Sequence, residues 1–416
     1  MKFGGTSVAD AQRVIRAAKR IVARKEAGKR VVAVLSARGS TTDELIAMAA
    51  EVSVLPDPRE MDMLLSTGER ISCALCAMAI RDLGHDAVSL TGSQAGILTD
   101  TSHTKARIVD VDAARIQREL DSGAIVLVAG FQGVSTNQDV TTLGRGGSDT
   151  TAVAVAAALN AEVCEIYTDV AGVFSADPRI VPDARKLSTV SFEEMLEMAA
   201  SGANVLQLRA VEYARNHNVR IHCRSSLEDG PGTVVLGEGE TMEQPLITAV
   251  THSTDEARLT LLGVPDDPGV AGRIFTALAE ANVNVDMIIQ NEPISGGHRA
   301  DMSFTVPRSD LVDARSALDG LIGELGITDV VTDEKMGKVS VIGAGMKSHP
   351  GVAAKVFEVL GGEGINIEMI VTSPIKISCV ISGEHVPTAV RALHSAFALG
   401  EGATLQERPF GDEASA

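Results

Sequence analysis

From Val8 to Ala27 the apolar positions Val8, Ala11, Val14, Ile15, Ala18, Ile21 and Val22 recur at steps of three and four, the spacing of an amphipathic helix. The next apolar run, Val31 to Leu35, is β-branched, too short for a helix and bounded by Gly28 and Gly39, so it predicts a buried strand. Equivalent runs stand at Ala124 to Ala129, Val163 to Tyr167 and Val219 to Cys223. Helical patterns separate them at Asp43 to Val52, Glu60 to Leu83, Val111 to Asp121 and Asp149 to Leu159. Such alternation predicts an α/β half whose sheet is covered on both faces. Ser191 followed by Glu194 has capping-box spacing and predicts another helix through Met198.

Proline, glycine and glutamate dominate around Gly230 to Gln244, which predicts a domain boundary. Beyond it the chain repeats itself. Pro268-Gly269-Val270-Ala271, Phe275 and Asn284-Val285-Asp286-Met287-Ile288 return as Pro350-Gly351-Val352-Ala353, Phe357 and Asn366-Ile367-Glu368-Met369-Ile370. Each copy opens on a strand, Leu259 to Val264 or Val339 to Gly343, turns at Pro-Gly into a helix and returns through an apolar strand, predicting a βαββαβ unit twice. Two packed modules without a ligand are one reading; the shared spacing favours paired sensors. The expected domains are 1–241, a linker at 242–250, modules at 251–331 and 332–409, and a tail at 410–416.

A chain of 416 residues is long enough for two or three cores. Its 45% hydrophobic and 22% charged residues are near globular averages, and no run of about 18 apolar residues predicts a bilayer span. The net charge of −18 argues against nucleic acid or an anionic membrane as partner, and 3% aromatic residues provide little for stacking bases. Five scattered cysteines and no secretory leader predict a reducing cytoplasm. Cys73 and Cys76 form CxxC inside a helical pattern without a second pair, so packing is expected there rather than zinc, and no metal is assigned to protein ligands. Met61, Met63, Met195 and Met198 are expected as core filler.

Three glycine-bearing stretches carry candidate chemistry. Lys2-Phe3-Gly4-Gly5-Thr6-Ser7 precedes the first helix; adjacent glycines let backbone N–H groups approach a phosphate and Lys2 adds positive charge. It is neither the Walker pattern nor GxGxxG, and alone reads equally as a turn. Thr141 to Thr150 opens another helix, with Ser148 or Asp149 expected at the cap. Arg145 there suits a bidentate carboxylate clamp, and Gly146 and Gly147 leave room for substrate. Thr168 to Arg179 follows the strand Val163 to Tyr167, where ligands of open α/β sheets gather.

KFGGTS near the start, LSARGSTTDEL at Leu35 to Leu45, LLSTGERIS at Leu64 to Ser72, TTLGRGGSDTTA at Thr141 to Ala152 and TDVAGVFSADPR at Thr168 to Arg179 together resemble the amino-acid kinase superfamily. With GAGMKSHPGV at Gly343 to Val352, the resemblance narrows to the aspartate kinase family with two C-terminal ACT domains, over Lys2 to about Phe397. It implies a carbamate kinase-like three-layer α/β/α sandwich followed by two α+β, ferredoxin-like ACT domains. It also implies transfer of the ATP γ-phosphoryl group, with Mg²⁺ carried on the nucleotide, to the β-carboxylate of L-aspartate.

Carried over by position, the resemblance makes Lys2 the group that stabilises the phosphoryl in flight and Asp149 its organiser, with Gly4, Gly5, Ser36 and Ser148 beside the ATP phosphates. Glu69 would pair with the α-ammonium of aspartate and Arg145 with its α-carboxylate, in a pocket completed by Thr42, Asp43, Glu44, Gly146, Gly147 and Ser148. Thr168, Asp169, Phe174, Ser175, Ala176, Asp177, Pro178 and Arg179 would hold the nucleotide.

In the ACT pair, effector positions match Asp266, Gly269, Ala271, Asn284, Asp286, Gln290, Asn366 and Ile367, with lysine and threonine as implied ligands and a homodimer or higher oligomer through these modules. Met242 matches an internal start of some relatives that would yield a separate regulatory subunit. Two features depart from the family. Lys2 follows Met1 directly where relatives carry an apolar strand, so the first strand is expected to be lost or the start misassigned, and Asn204 stands where many members carry a lysine. Rival readings are an amino-acid-binding regulator with a decayed kinase half, and a superfamily kinase acting on glutamate, carbamate or a nucleoside monophosphate. TGERIS and the paired repeats argue against the latter.

Overall fold

A computed structural model describes residues 1–237, 246–290 and 299–400. Two compact units emerge. The first comprises Met1–Phe174, Lys186–Ala200 and Asn204–Glu243; the second comprises Ser175–Arg185, Ser201–Ala203 and Gln244–Ala416. Met242, the expected internal start, lies outside the described residues.

In chain order the first unit begins with β1 (Lys2–Phe3), α1 (Ala11–Glu26), β2 (Val32–Leu35), α2 (Thr41–Val52), α3 (Pro58–Leu65), α4 (Thr67–Asp82) and β3 (Ala87–Leu90). It continues with β4 (Ile97–Thr99), β5 (Ile108–Val111), α5 (Ala114–Asp121), β6 (Ile125–Ala129), β7 (Gln132–Ser135) and β8 (Val140–Thr142). Then come α6 (Gly147–Ala158), β9 (Cys164–Thr168), β10 (Thr189–Ser191), α7 (Phe192–Ala200), α8 (Leu208–His217), β11 (Ile221–Ser225) and β12 (Thr233–Leu236).

Eight strands form one sheet in the order β10-β12-β11-β9-β1-β2-β6-β3. Only β11 and β12 run antiparallel to each other. A four-stranded sheet, β5-β4-β7-β8, stands beside it. Every residue of β6 is buried, as a central strand covered on both faces requires. One cover is made by α1 and α4, whose Val14, Ala18, Ile21, Cys73, Cys76 and Ile80 share a core with Phe3, Leu35, Ile125 and Leu127. The CxxC thus packs, as expected. α6, buried over Gly147 to Ala156, packs with α8 on β2 and β9, completing three layers.

The first strand is not lost. Lys2–Phe3 lies in the middle of the sheet, parallel to β2 on one side and β9 on the other. α1 starts later than its periodicity suggests, because a 3₁₀ turn at Gly5–Val8 intervenes and Asp10 caps the helix by accepting from the Arg13 N–H at 2.8 Å. The single helix expected over Glu60 to Leu83 breaks at Ser66 into α3 and α4. Asp57 caps α3 by accepting from two backbone N–H groups. Pro58–Asp82 is long and apolar enough to cross a membrane by length and composition, yet it carries the fully buried Asp62, which is bonded to Thr142, His103 and the Thr104 N–H, and α4 packs into the core described above. The Ser191/Glu194 capping box forms reciprocally, with Glu194 N–H donating to Ser191 Oγ at 3.2 Å and Ser191 Oγ–H to Glu194 Oε2 at 2.9 Å.

A cavity of about 560 Å³ is lined by Met1, Arg24, Val32, Ala156, Glu165 and neighbours. It lies at the strands' N-terminal ends, away from the loops that carry the candidate chemistry.

The second unit contains β13 (Ala249–Ser253), β14 (Glu256–Pro265), α9 (Val270–Glu280), β15 (Ile288–Gln290), β16 (Arg299–Pro307), α10 (Leu311–Leu325) and β17 (Asp329–Asp333). β18 (Met336–Ile342), α11 (Val352–Gly362), β19 (Met369–Ser373), β20 (Lys376–Ser382) and α12 (Val386–Ala396) follow. The first βαββαβ module is complete, with sheet order β15-β16-β14-β17. The second is not self-sufficient: its order is β13-β18-β20-β19, so its edge strand comes from upstream of the first module. The expected linker at 242–250 therefore ends inside a strand. β18 has one edge on β20, and β13 supplies hydrogen bonds to the other. Gly269 and Gly351, the repeated Pro-Gly glycines, hold the same left-handed N-cap geometry, with φ of 95° and 102°.

Candidate active site

The C-terminal ends of β9, β1, β2 and β6, neighbours in the sheet, deliver the predicted loops to one edge of the first unit. Lys2 on β1 is nearly buried, and its Nζ lies 2.5 Å from Asp149 Oδ1 in the first turn of α6. That Oδ1 is shielded from solvent, and the Lys2 ammonium is the charge that offsets its burial. Gly4 runs beside the ammonium: a Cβ there would stand 3.5 Å from Lys2 Nζ. At Gly5 a Cβ would meet the Ala37 carbonyl at 2.8 Å, so this pair of loops approaches as only glycine allows. Ser36 joins them through its N–H, which donates to the Phe3 carbonyl at 3.1 Å.

Glu69 enters from the start of α4. It is 3% exposed, and its Oε1 accepts from the Ala37 N–H at 3.1 Å. Its Oε2 is buried without a hydrogen-bond partner among the described residues. Burial pushes the carboxyl up to about 7, against the opposing pull of that backbone bond. α4 can come this close because residue 68 is glycine; a Cβ there would lie 2.8 Å from the Ala37 Cβ. Glu69, Ala37, Gly5, Gly4, Lys2 and Asp149 are thus linked neighbour to neighbour.

Several expectations change in detail. Gly146, not Ser148 or Asp149, caps α6, with φ of 75° and no side-chain cap bond. The space beside Gly146 and Gly147 is already filled: a Cβ would meet Gln207 at 2.3 Å and Leu143 at 2.8 Å, respectively. Those glycines serve packing as well as any ligand. Ser148 is buried against Gly130 at the end of β6. Arg145 is exposed just ahead of α6, with no ion pair among the described residues. Thr42 is half-buried and Asp43 exposed on the first turn of α2, and exposed Glu44 accepts from Ser40 Oγ at 2.5 Å.

Ser7 went unnoticed in the sequence. Its hydroxyl is buried, has no hydrogen-bond partner among the described residues, and lies in the turn formed by Gly4 and Gly5. The signal was present, since it ends the same KFGGTS stretch.

The third predicted loop divides. Thr168, whose hydroxyl donates to Asp169 Oδ1 at 3.1 Å, and Phe174 belong to the first unit. Ser175, Ala176, Asp177, Pro178 and Arg179 belong to the second. Ser175 and Ala176 are buried, and the Ser175 hydroxyl is fully engaged inside that unit, which leaves it no bond for a nucleotide. Arg179 donates to both oxygens of Asp177, through Nε to Oδ1 at 3.0 Å and through Nη2 to Oδ2 at 2.7 Å, and holds the carboxyl below its ordinary range.

Of the effector positions, Asp266 accepts from Gln290 Nε2 at 3.2 Å, so the ends of β14 and β15 meet. Asn284, Asp286 and Asn366 are exposed, while Ala271 and Ile367 are half-buried. Asp286 Oδ2 lies 2.6 Å from Nζ of the buried Lys338, which also reaches Glu256 at 2.5 Å. Lys338 escaped the sequence reading because it sits mid-strand in β18, without any motif.

The amino acid kinase family matches residues 1–225, and the ACT domain matches 258–323 and again 339–397. The chain is 58% identical to an aspartokinase of Mycolicibacterium smegmatis over 402 residues, 96% of each protein. It is 54% identical to the aspartokinase of Corynebacterium glutamicum over the same share. Among solved structures, E. coli aspartokinase III in complex with aspartate and ADP superposes with a TM-score of 0.81 at 27% identity, covering 95% of this chain and 98% of that one. The same enzyme with lysine and aspartate gives 0.73. With a kinase half, a pair of ACT modules and more than half its residues shared over 96% of its length, the chain belongs to the aspartokinase family.

Proposed function

We propose that this aspartate kinase transfers the ATP γ-phosphoryl group to the β-carboxylate of L-aspartate, giving 4-phospho-L-aspartate, the first step towards lysine, threonine and methionine. The observation that carries the reading is the buried, unpartnered Glu69 Oε2, an uncompensated carboxylate oxygen on the same strand-end edge as Lys2 and Asp149. An isolated buried carboxylate is costly, and a substrate ammonium would relieve it. The acceptor carboxyl of free aspartate ordinarily titrates at roughly 3.9, so it is ionised at neutral pH and needs no general base. Chemistry then reduces to bringing two anions together and neutralising the charge that spreads between them. Lys2, oriented by Asp149, does this beside the Gly4–Gly5 amides, with Mg²⁺ arriving on the nucleotide as part of the substrate. Arg145, exposed just ahead of α6, clamps the α-carboxylate. The five unpaired thiols fit a reducing cytoplasm.

The ACT pair supports feedback by lysine or threonine, bound around Asp266, Asp286 and Gln290 with Asn366 from the second module, and assembly of chains through those modules. Aspartokinase III from E. coli, solved with lysine, supports this reading. The test is aspartate-dependent ADP release, compared with glutamate and homoserine as acceptors. Lys2→Ala should lower kcat by about 10²–10³ with KM for aspartate nearly unchanged. A rise in KM alone would remove Lys2 from its role, and no aspartate-dependent ADP would end the proposal.

A further inference from the structure

Arg145 stands between two short segments of the first unit, and partners from outside its own glycine stretch fix the one that precedes it. Thr142 and Leu143 are buried. The Thr142 hydroxyl donates to Oδ1 of Asp62 at 2.5 Å, and the Thr142 carbonyl accepts from the Ala106 N–H at 2.9 Å. Arg209, half-buried on α8, donates through Nη1 to the Leu143 carbonyl at 2.9 Å and through Nη2 to the Ala106 carbonyl at 2.7 Å, so one guanidinium ties the two chain segments together. Asp62, on α3, is fully buried and accepts from three groups: the Thr142 hydroxyl, Nδ1 of His103 at 2.7 Å and the Thr104 N–H at 3.1 Å from each oxygen. A carboxylate only accepts, so Nδ1 of His103 carries the hydrogen. Thr104 is held at φ 65°, a left-handed conformation that a β-branched residue resists. Such a residue persists only where its surroundings over-determine it, and Asp62 supplies the bond that does so. The Thr104 carbonyl in turn lies against Gly144, where a Cβ would stand 3.2 Å from it. The backbone ahead of Arg145 therefore rests on a strained turn that Asp62 keeps in place.

We propose that Asp62 and Arg209 are positioning residues for the Arg145 clamp, fixing the backbone from which its guanidinium reaches the α-carboxylate of aspartate. This rests on reading Arg145 as that clamp. A bidentate fork meets a carboxylate in a narrow set of orientations, so a clamp on a loosened backbone has more freedom to lose when substrate binds. The α-carboxylate takes no part in the transfer, and the clamp holds it equally in the ground state and the transition state. Loosening the anchor therefore appears in KM for aspartate and leaves kcat and KM for MgATP in place.

Steady-state kinetics on the full chain test this with Asp62→Ala, Asp62→Asn, Thr142→Val, Arg209→Met and Arg145→Ala. Asp62→Ala, Thr142→Val and Arg209→Met should each raise KM for aspartate by about tenfold, the value of one buried hydrogen bond, with kcat and KM for MgATP within about twofold. Asp62→Asn keeps an oxygen for the Thr142 hydroxyl and the Thr104 N–H, and its amide can donate to the other tautomer of His103, so it should stay near wild type. Added to Arg145→Ala, Asp62→Ala should raise KM for aspartate no further, whereas a merely structural role would add its effect to that of the lost clamp. Additive effects, or a parallel rise in KM for MgATP, would overturn the inference. So would an unchanged KM for aspartate in folded Thr142→Val and Arg209→Met, which remove a hydroxyl and a guanidinium without opening a large void and decide the matter should Asp62→Ala not fold. Arg145→Ala separates the two premises. If it leaves KM for aspartate unchanged in an enzyme that phosphorylates aspartate, the clamp reading fails and the inference with it; if it alone raises that KM, the clamp stands and only the inference is overturned.

Discussion

Glu69 is the residue whose chemistry most exceeds its motif. The TGERIS string places a carboxylate at a helix start, but only burial makes it titrate near 7. Its folded pKa is raised above the ordinary value of 4.5, so the folded state holds a proton that the unfolded chain releases, and stability falls as pH rises from 4.5 through 7. In the aspartate-free enzyme at pH 8, Glu69→Gln should therefore melt above wild type, by up to roughly 3 kcal/mol, and the two should converge as the pH approaches 4.5. Denaturant titrations at the two pH values check it; a less stable variant at pH 8 would contradict the burial argument. Activity runs the other way. kcat/KM for aspartate should fall on the acid side of about 7 as the ammonium's partner is protonated, and the variant should lose most activity at every pH.

Among elements, β18 shows what periodicity cannot reveal. All seven of its residues are buried, including Lys338. Burial lowers this ammonium's pKa, but Glu256 and Asp286 more than offset that, and the net shift is upward. On the alkaline side, the stabilisation that the lysine draws from this pairing is therefore intact at neutral pH and lost only as the pH rises through the raised value. Lys338→Met should destabilise the second unit by roughly 3–5 kcal/mol, because it leaves Glu256, whose Oε2 already lacks a partner, as an uncompensated buried charge. Chemical denaturation would measure it, and adding Glu256→Gln should restore much of the loss. Helix and strand identities, by contrast, were readable wherever one face or both meet a core: α1, β2, β6 and β9 follow their apolar patterns to within a few residues. The errors fall at ends and breaks. Ser66 divides α3 from α4, and Gly146 rather than Ser148 caps α6, because caps and breaks are settled by individual backbone bonds.

For the whole molecule, the free cysteines offer a direct probe of packing. All five are buried, and burial above all pushes Cys76, Cys223 and Cys379 up to about 12 and raises Cys73 and Cys164 as well. A thiol reagent attacks the thiolate, so the native protein at pH 8 should react negligibly and the denatured chain should reveal all five thiols. Prompt native labelling would show that a core opens. What the amino-acid order alone determined is everything local or repeated: the α/β alternation, the duplicated Pro-Gly module and the glycine loops whose strings place this chain among the kinases. Tertiary structure decided the rest. β13 completes the second ACT sheet across the whole first module, and Ser175 packs with elements more than 200 residues downstream. Glu69 is left with one oxygen unpaired. Hydrophobic period records only whether a side chain will be buried. Which open strand edge, hydroxyl or carboxylate finds a partner depends on segments far apart in sequence, and on the burial they impose together.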